Sequence, residues 1–198
     1  RSEGGYSSIA TAAATGTETT QMSISSAGFT SLDANTLATE AGTGITGGTG
    51  TIYRSSVIRE GGIIKTSILI DLTGLRSTAS GDIIGVDGTS NVCHIGQITA
   101  ARNGTILAGR MTCFETPAGG DPDINVHSAT EGTGVEDGAI ADLTETLLVN
   151  SGDLSTGTVV TFTGVPAADE FLYLTLGATT DADYTAGKLL IELFGYEA

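Results

Sequence analysis

The residue types that carry most enzyme chemistry are scarce in this sequence. It contains two histidines, His94 and His127, which stand among unlike neighbours, and two cysteines, Cys93 and Cys113. The GxSxG motif of hydrolases and the HExxH motif of metalloproteases are both absent from the sequence. Catalysis needs a nucleophile with its base, a tuned carboxylate pair or a metal cluster. We therefore predict that the protein is not an enzyme, and we assign it no catalytic, cofactor-binding or metal-binding residue.

Paired carboxylates occur at Asp121-Pro-Asp123 and at Asp181-Ala-Asp183. Both pairs lie in stretches rich in Gly, Pro and Thr, where aspartate usually forms hydrogen bonds to the nearby backbone of a turn. The first pair belongs to residues 116–137, which we predict to be a long irregular segment. Its acidic side chains are Asp121, Asp123, Glu131, Glu136 and Asp137. They lack the ligand order of an EF-hand loop, so we expect solvated turns, and Ca²⁺ binding stays an open alternative.

A glycine-rich motif precedes the first clear strand signal. The sequence Gly42-Thr-Gly44-Ile-Thr-Gly47 matches the GxGxxG pattern of dinucleotide-binding proteins. In those proteins a strand precedes the glycines and a helix follows them, so that the pyrophosphate lies at the helix N-terminus. Here Gly48-Thr-Gly50 and a β-rich run follow instead. We therefore predict that the chain binds no nucleotide.

The charge and hydropathy of the chain limit its partners. Its 198 residues include 8 Lys and Arg against 23 Asp and Glu, which gives a net charge of -15. Such an excess of carboxylates repels the phosphates of nucleic acids and of anionic lipids. The sequence also lacks the run of about 18 apolar residues that a transmembrane helix needs. We therefore expect neither a nucleic acid nor a membrane as partner.

The clearest folding signal is a β-hairpin. Two β-rich runs, Thr51–Arg59 and Ile63–Leu72, flank Gly61-Gly62, and this pair can adopt the positive φ angles of a two-residue hairpin turn. In the second run apolar residues alternate with Lys, Ser and Asp, so one face is apolar and the other mostly polar. A two-residue turn sets the pairing of the strands. The predicted pairs are Glu60 with Ile63, Val57 with Thr66, Ser55 with Ile68 and Tyr53 with Ile70.

A second hairpin is predicted around Asn103-Gly104, between the runs Val92–Ala101 and Thr105–Glu115. A two-residue turn would pair Cys93 with Phe114, whereas a three-residue turn with Gly104 left-handed would pair Cys93 with Cys113. We favour the second register because it separates apolar from polar residues. The apolar face would carry Cys93, Ile95, Leu107, Met111 and Cys113, and the opposite face His94, Arg110 and Thr112. Cys93 and Cys113 should then face each other across the ladder.

The rest of the chain continues the β pattern. The run Ile140–Asn150 fits either a helix or a strand, and we favour a strand because its surroundings are β-rich. Three more strands are predicted in Gly157–Val165, Glu170–Leu176 and Lys188–Tyr196, with turn-forming segments between them. The sequence therefore predicts an all-β domain over residues 51–198, an antiparallel β-sandwich or barrel with jelly-roll-like connections.

Residues 1–50 are rich in Ser, Thr, Ala and Gly and contain few large apolar residues. A segment of this composition buries too little apolar surface to fold alone. We predict an extended N-terminal arm that becomes ordered on a neighbouring subunit, with a flexible tail as the alternative. The expected apolar anchors of the arm are Ile24, Phe29, Leu32 and Leu37.

Three segments resemble a family of virion structural proteins of marine tailed phages. They are DLTGLRSTASGDIIGVDG (71–88), GDPDINVHSATEGTGVED (120–137) and FLYLTLGATTDADYTAGKLLIELFGY (171–196). The likeness covers residues 45–196 and weakens over the arm. It rests on turn and strand positions, so it transfers no functional residue to this chain.

This resemblance implies a structural role in the virion. We expect a decoration or cement protein that binds the major capsid protein on the capsid surface and stabilises the head. A homo-oligomer, and specifically a homotrimer, is expected because shell lattices present threefold and quasi-threefold junctions. The alternatives are a major tail-tube protein and a host-surface or carbohydrate-recognition module. No cofactor is expected in any of these roles.

Overall fold

A computed structural model describes residues 22–24, 30–32, 39–88, 90–178 and 182–197. The chain divides into two units, Arg1–Thr36 and Leu37–Ala198. In the first unit, strands β1 (Met22–Ile24) and β2 (Thr30–Leu32) pair antiparallel. Of the predicted arm anchors, Phe29 and Leu37 lie outside the described residues.

The predicted hairpin opens the larger sheet of the second unit. Strands β3 (Ile52–Glu60) and β4 (Ile63–Asp71) pair in the expected register, from Glu60 opposite Ile63 to Tyr53 opposite Ile70. Gly61 and Gly62 have φ angles of 58° and 85°, the left-handed conformations that a type I′ turn requires. The hairpin prediction is therefore confirmed.

Short helices and further strands follow in chain order. The helices are α1 (Thr43–Thr46), which precedes β3, and α2 (Ala100–Asn103). The strands are β5 (Arg76–Ser77), β6 (Gly96–Gln97), β7 (Thr105–Ala118), β8 (Ile124–Ala129), β9 (Glu145–Val149), β10 (Val159–Thr161), β11 (Phe171–Leu176), β12 (Ala182–Asp183) and β13 (Ala186–Tyr196). A 3-10 turn, Ile140–Asp142, precedes β9.

Two antiparallel sheets contain most of these strands. The five-stranded sheet has the order β10-β7-β13-β4-β3, and the four-stranded sheet has the order β6-β11-β8-β9. After β4 the chain repeatedly passes between the sheets, and this arrangement is the strand order of a jelly roll. The prediction of an all-β sandwich with jelly-roll-like connections is confirmed. Both sheets are open, so the barrel alternative is wrong.

The hydrophobic core lies between the two sheets. The inward side chains of both sheets form one buried cluster. Its fully buried members include Ile68, Ile70, Leu189 and Ile191 from the larger sheet, and Val126, Leu172 and Leu174 from the smaller one. Burial of each such aliphatic side chain contributes roughly 1.5–3 kcal/mol, which explains why alternating apolar runs assemble into two facing layers.

The expected boundary at residue 51 does not match the packing of the chain. Ile45 in α1 is completely buried in the sandwich core. The N–H groups of Gly42 and Gly44 donate hydrogen bonds to the carbonyls of His94 and Val92, at 2.8 and 2.9 Å. Residues 39–50 therefore belong to the sandwich and not to the arm. The low overall hydrophobicity of this segment suggested an arm, but its one large apolar residue, Ile45, is part of the core.

The hairpin predicted around Asn103 is wrong. Residues 100–103 form α2, whose N-terminus is capped by the side chain of Thr99. The buried Asn103 side chain accepts a hydrogen bond from the Thr99 N–H at 2.9 Å and donates one to Thr66 Oγ1 at 2.8 Å. These bonds hold a helical turn that carries the chain from one sheet to the other. The strand before α2 pairs with β11, and the strand after it pairs with β13 and β10.

The two cysteines consequently do not face each other across a ladder. Cys113 lies opposite Leu189 in the larger sheet, while Val92, next to Cys93, bridges to Val135. Both cysteines are free and buried. Local turn chemistry suggested a hairpin here, but long-range strand pairing decided the path of the chain.

The predicted irregular segment 116–137 also needs correction. It contains the end of β7 and the whole of β8, which is the third strand of the smaller sheet and is almost entirely buried. The ambiguous run Ile140–Asn150 forms the 3-10 turn followed by β9, so the preference for a strand holds over residues 145–149. The last two predicted strands are confirmed as β11 and β13, and β10 is shorter than expected.

Candidate interaction surface

The two histidines occupy different environments, and neither contacts a catalytic partner among the described residues. The Nδ1 atom of His127 lies 2.7 Å from Glu145 Oε2, so this ring is engaged by a carboxylate of the neighbouring strand. His94 packs on Phe171 with ring centroids 5.0 Å apart, and burial lowers the pKa of its imidazole. Within the described ranges neither ring is hydrogen-bonded to a hydroxyl or a thiol, so the geometry assembles no nucleophile–base pair.

The first of the two carboxylate pairs supports the local backbone structure. Asp121 Oδ1 accepts a hydrogen bond from the Asp123 N–H at 2.9 Å, as in an Asx turn. Burial, reinforced by Asp121 and Asp153, raises the pKa of Asp123. Asp183 is exposed and lies 3.5 Å from Arg76 Nε, and Asp181 is outside the described residues. No group of three or more His, Cys, Asp and Glu in the described part of the chain is arranged to hold a metal ion.

The glycines of the GxGxxG motif allow close packing. A Cβ atom on Gly42 would overlap the Val92 carbonyl, and one on Gly44 would overlap Cys93 Sγ. The helix that follows Gly42 has only four residues. The glycines therefore allow residues 42–44 to pack closely against residues 91–93. The four-residue helix is too short to form the pyrophosphate site of a dinucleotide-binding protein.

The most distinctive surface is the outward side of the five-stranded sheet, which we call the outer sheet face. Nine large apolar side chains are exposed among the described residues, and seven of them lie here. These seven are Ile52, Ile58, Ile63, Leu107, Phe114, Val159 and Tyr196. Leu69, Leu190 and Phe194 are half-buried between them. A concentration of exposed apolar side chains on one face often marks a site of interaction.

Two β-bulges in β7 turn additional apolar residues outward. The pairing with β13 shifts between Phe194 and Gly195, which leaves Leu107 as an extra residue that is 64% exposed. A second shift, between Lys188 and Leu189, leaves Phe114 as another extra residue, and its side chain is also exposed. The predicted inward position of Leu107 is therefore wrong, because an inserted residue reverses the alternation of the strand.

Ion pairs run across the middle of the outer sheet face. Glu192 on β13 is bound on one side by Lys65 of β4 and on the other by Arg110 Nε of β7 at 2.5 Å. Its side chain is only 4% exposed although it points outward. Burial raises the pKa of the Glu192 carboxyl, but the hydrogen bonds from Arg110 and Lys65 outweigh burial and lower it overall. The Arg110 guanidinium also lies 5.8 Å from the centre of the Phe194 ring.

The outer sheet face is electrically balanced in a strongly acidic chain. It carries four of the eight Lys and Arg residues, but only four of the 23 carboxylates. The cations are Arg54, Lys65, Arg110 and Lys188, and the carboxylates are Glu60, Asp71, Glu115 and Glu192. The excess negative charge of the chain therefore lies elsewhere. This face is where another protein surface can approach with little electrostatic repulsion.

No site residue was predicted from the sequence, and this surface was not expected. The sequence did contain an indication of this surface. Ile52, Ile58 and Ile63 occupy strand positions on the same face as the polar residues Lys65 and Ser67. Apolar residues out of phase with the core indicate a second contact surface.

Comparison with protein-family models, with curated proteins and with solved structures finds no match to this chain. None of the helices formed by the described residues has the length and hydrophobicity to span a membrane.

Proposed function

We propose that this chain is a structural virion protein, a decoration or cement protein that binds the outside of a phage head as a homo-oligomer. Its partner would be the major capsid protein, and its effect would be to stabilise the shell. The outer sheet face is the observation that carries this proposal.

Exposed apolar side chains and balanced charge together favour association through the outer sheet face. Removing apolar surface from water yields about 25 cal/mol per Å², so covering several exposed isoleucine, leucine and aromatic side chains favours association. Elsewhere the surface is acidic, and it would repel a second copy or an acidic partner. A structural contact through the outer sheet face therefore requires neither a ligand nor a catalytic centre.

The fold is compatible with this role but does not select it. Jelly rolls occur in viral capsid proteins and also in lectins, and a fold alone does not define function. A sugar-binding site usually needs aromatic side chains that form a platform. The exposed aromatic residues Phe114 and Tyr196 lie near opposite ends of the outer sheet face, which favours a protein contact over a carbohydrate platform.

The test uses matched leucine substitutions and undecorated phage heads. Leu107→Asp places a charge on the outer sheet face, whereas Leu147→Asp places the same charge on an exposed leucine of the smaller sheet. We expect Leu107→Asp to reduce head occupancy at least about tenfold, since a buried unpaired carboxylate costs several kcal/mol. Leu147→Asp should bind like the unmodified protein.

Occupancy and heat resistance of the heads are measured together. Equal binding by the two variants would show that the outer sheet face is not the contact. Binding to tail tubes and not to heads would replace the decoration role by the tail-tube alternative. A lack of stabilisation at full occupancy would contradict the cement role.

A further inference from the structure

One edge of the five-stranded sheet is formed by β3, which among the described strands pairs only with β4; the other edge is formed by β10. The turn at Gly61-Gly62 makes Glu60 and Ile63 a hydrogen-bonded pair, so every second residue of β3 directs its N–H and C=O away from β4. These residues are Tyr53, Ser55, Val57 and Arg59. In residues 39–88, 90–178 and 182–197, no backbone group is hydrogen-bonded to the N–H or C=O groups of these four residues. Their side chains do form bonds to the backbone: Tyr53 and Ser55 donate to the Thr39 carbonyl, and Arg59 donates to the Ala101 carbonyl. The strand also lacks the proline or bulge that often blocks pairing at an edge.

Two unpaired charges are arranged symmetrically on this edge strand. Arg54 and Glu60 both point to the outer sheet face, and each lies three residues from Val57. Both side chains are exposed, and neither forms an ion pair with another described residue. A cation without a carboxylate partner is unexpected in a chain with 23 acidic residues.

We propose that β3 pairs antiparallel with the β3 strand of a second copy, around a twofold axis at Val57. Val57 then faces Val57 of the second copy, and Ser55 faces Arg59, as hydrogen-bonded pairs. Arg54 of each copy faces Glu60 of the other copy, so the dimer contains two such contacts, one on each side of the axis. These charged positions form non-hydrogen-bonded pairs, in which Cα atoms approach to about 4.5 Å and opposite charges stabilise the ladder.

The charges select this register over its neighbours. Moving the centre of symmetry to Ser55 places Arg54 opposite Ser56, and moving it to Ser56 places Arg54 opposite Ile58. Both shifts leave Arg54 and Glu60 without partners. The twofold pairing at Val57 also joins two outer sheet faces into one continuous surface. It does not depend on the proposed virion role.

Charge reversal in the full-length chain tests the pairing. Arg54→Glu alone sets carboxylate against carboxylate, and Glu60→Arg alone sets cation against cation. We expect each to weaken dimerisation about tenfold or more, as measured by sedimentation over a concentration series, because two like-charge contacts arise per dimer. The double variant Arg54→Glu, Glu60→Arg restores opposite charges and should return the dissociation constant to within about threefold of the original.

Cysteine cross-linking tests the register directly. A mixture of the Arg54→Cys and Glu60→Cys variants should form a disulfide-linked dimer under mild oxidation, since their Cα separation fits a disulfide. Each variant alone should not, because its cysteine faces the other native side chain. The native cysteines are buried and serve as an internal control.

An unmodified protein that sediments as a monomer or as a trimer would overturn the proposal. A dimer supports it, and so does a hexamer, in which a threefold contact would add to the twofold one. Weakening by both single reversals without rescue in the double variant would also overturn it. Head binding is measured separately, so failure of the edge pairing remains distinguishable from failure of the decoration role.

Discussion

Replacement of Glu136 should make the protein more stable at neutral and alkaline pH. Glu136 is 9% exposed, and its Oε1 atom has no hydrogen-bond partner among the described residues. Its Oε2 atom accepts a 3.3 Å hydrogen bond from the Gly88 N–H. Burial, followed by the neighbouring Asp137 and then Asp87, raises the pKa of Glu136 from 4.5 to about 7.

The sign and size of the effect follow from linkage between protonation and folding. The folded chain keeps this proton up to about pH 7, whereas the unfolded chain releases it near pH 4.5. The stabilising effect of protonation is therefore complete below pH 4.5 and is lost as the pH rises through 7. A shift of this size corresponds to roughly 3 kcal/mol at most, at 1.36 kcal/mol per pKa unit. We expect about 1–3 kcal/mol, because Asp137 can share the proton.

Glu136→Gln mimics the protonated carboxyl and removes its titration. The gain in unfolding free energy over the original protein should be close to zero near pH 4.5 and should grow to about 1–3 kcal/mol at pH 8. Urea unfolding at several pH values measures this difference. Asp142→Asn, a substitution of an exposed carboxylate in the 3-10 turn, is the control and should show no such trend. An equal gain for Glu136→Gln at both pH values would refute the reasoning.

Three further substitutions or treatments test the fold. Asn103→Ala should lower the unfolding free energy by about 2–4 kcal/mol, because it leaves buried hydrogen-bonding groups unpaired; a loss below about 0.5 kcal/mol would contradict the assigned bonds. Met111→Ala should cost about 2–5 kcal/mol while Leu107→Ala costs less than about 0.5, and similar losses in urea unfolding would contradict the bulge in β7. Cys93 and Cys113 should react with a thiol reagent only after unfolding, since both are buried and burial raises the pKa of Cys93 to about 12; rapid labelling of the native protein would argue against this burial.

Local sequence patterns were sufficient for the hairpin of β3 and β4. Gly61-Gly62 supplies two residues that tolerate positive φ, and the alternation in β4 defines which face is buried, so turn and pattern specify one register together. Apolar runs bounded by turn-forming segments identified β11 and β13. These signals were also enough for the all-β class.

Other parts of the structure depend on contacts between distant residues. Asn103-Gly104 has the composition of a hairpin turn, yet the bonds of its buried side chain to Thr99 and Thr66 favour a helical turn. Ile45 lies in a segment too polar to fold alone, and it is buried only because the two sheets create a core around it. The bond to Thr99 is local, but the bond to Thr66 and the burial of Ile45 both depend on residues far away in sequence.

The outer sheet face likewise depends in part on the sequence and in part on the tertiary structure. Sequence by itself determined that the chain is acidic, β-rich and without a catalytic motif. Only the tertiary structure placed β3, β4, β13, β7 and β10 side by side, so that their exposed apolar residues and balanced charges form one face. Strand order and bulges are set by pairing between residues far apart in the chain, and a period-two pattern carries no information about which strands become neighbours.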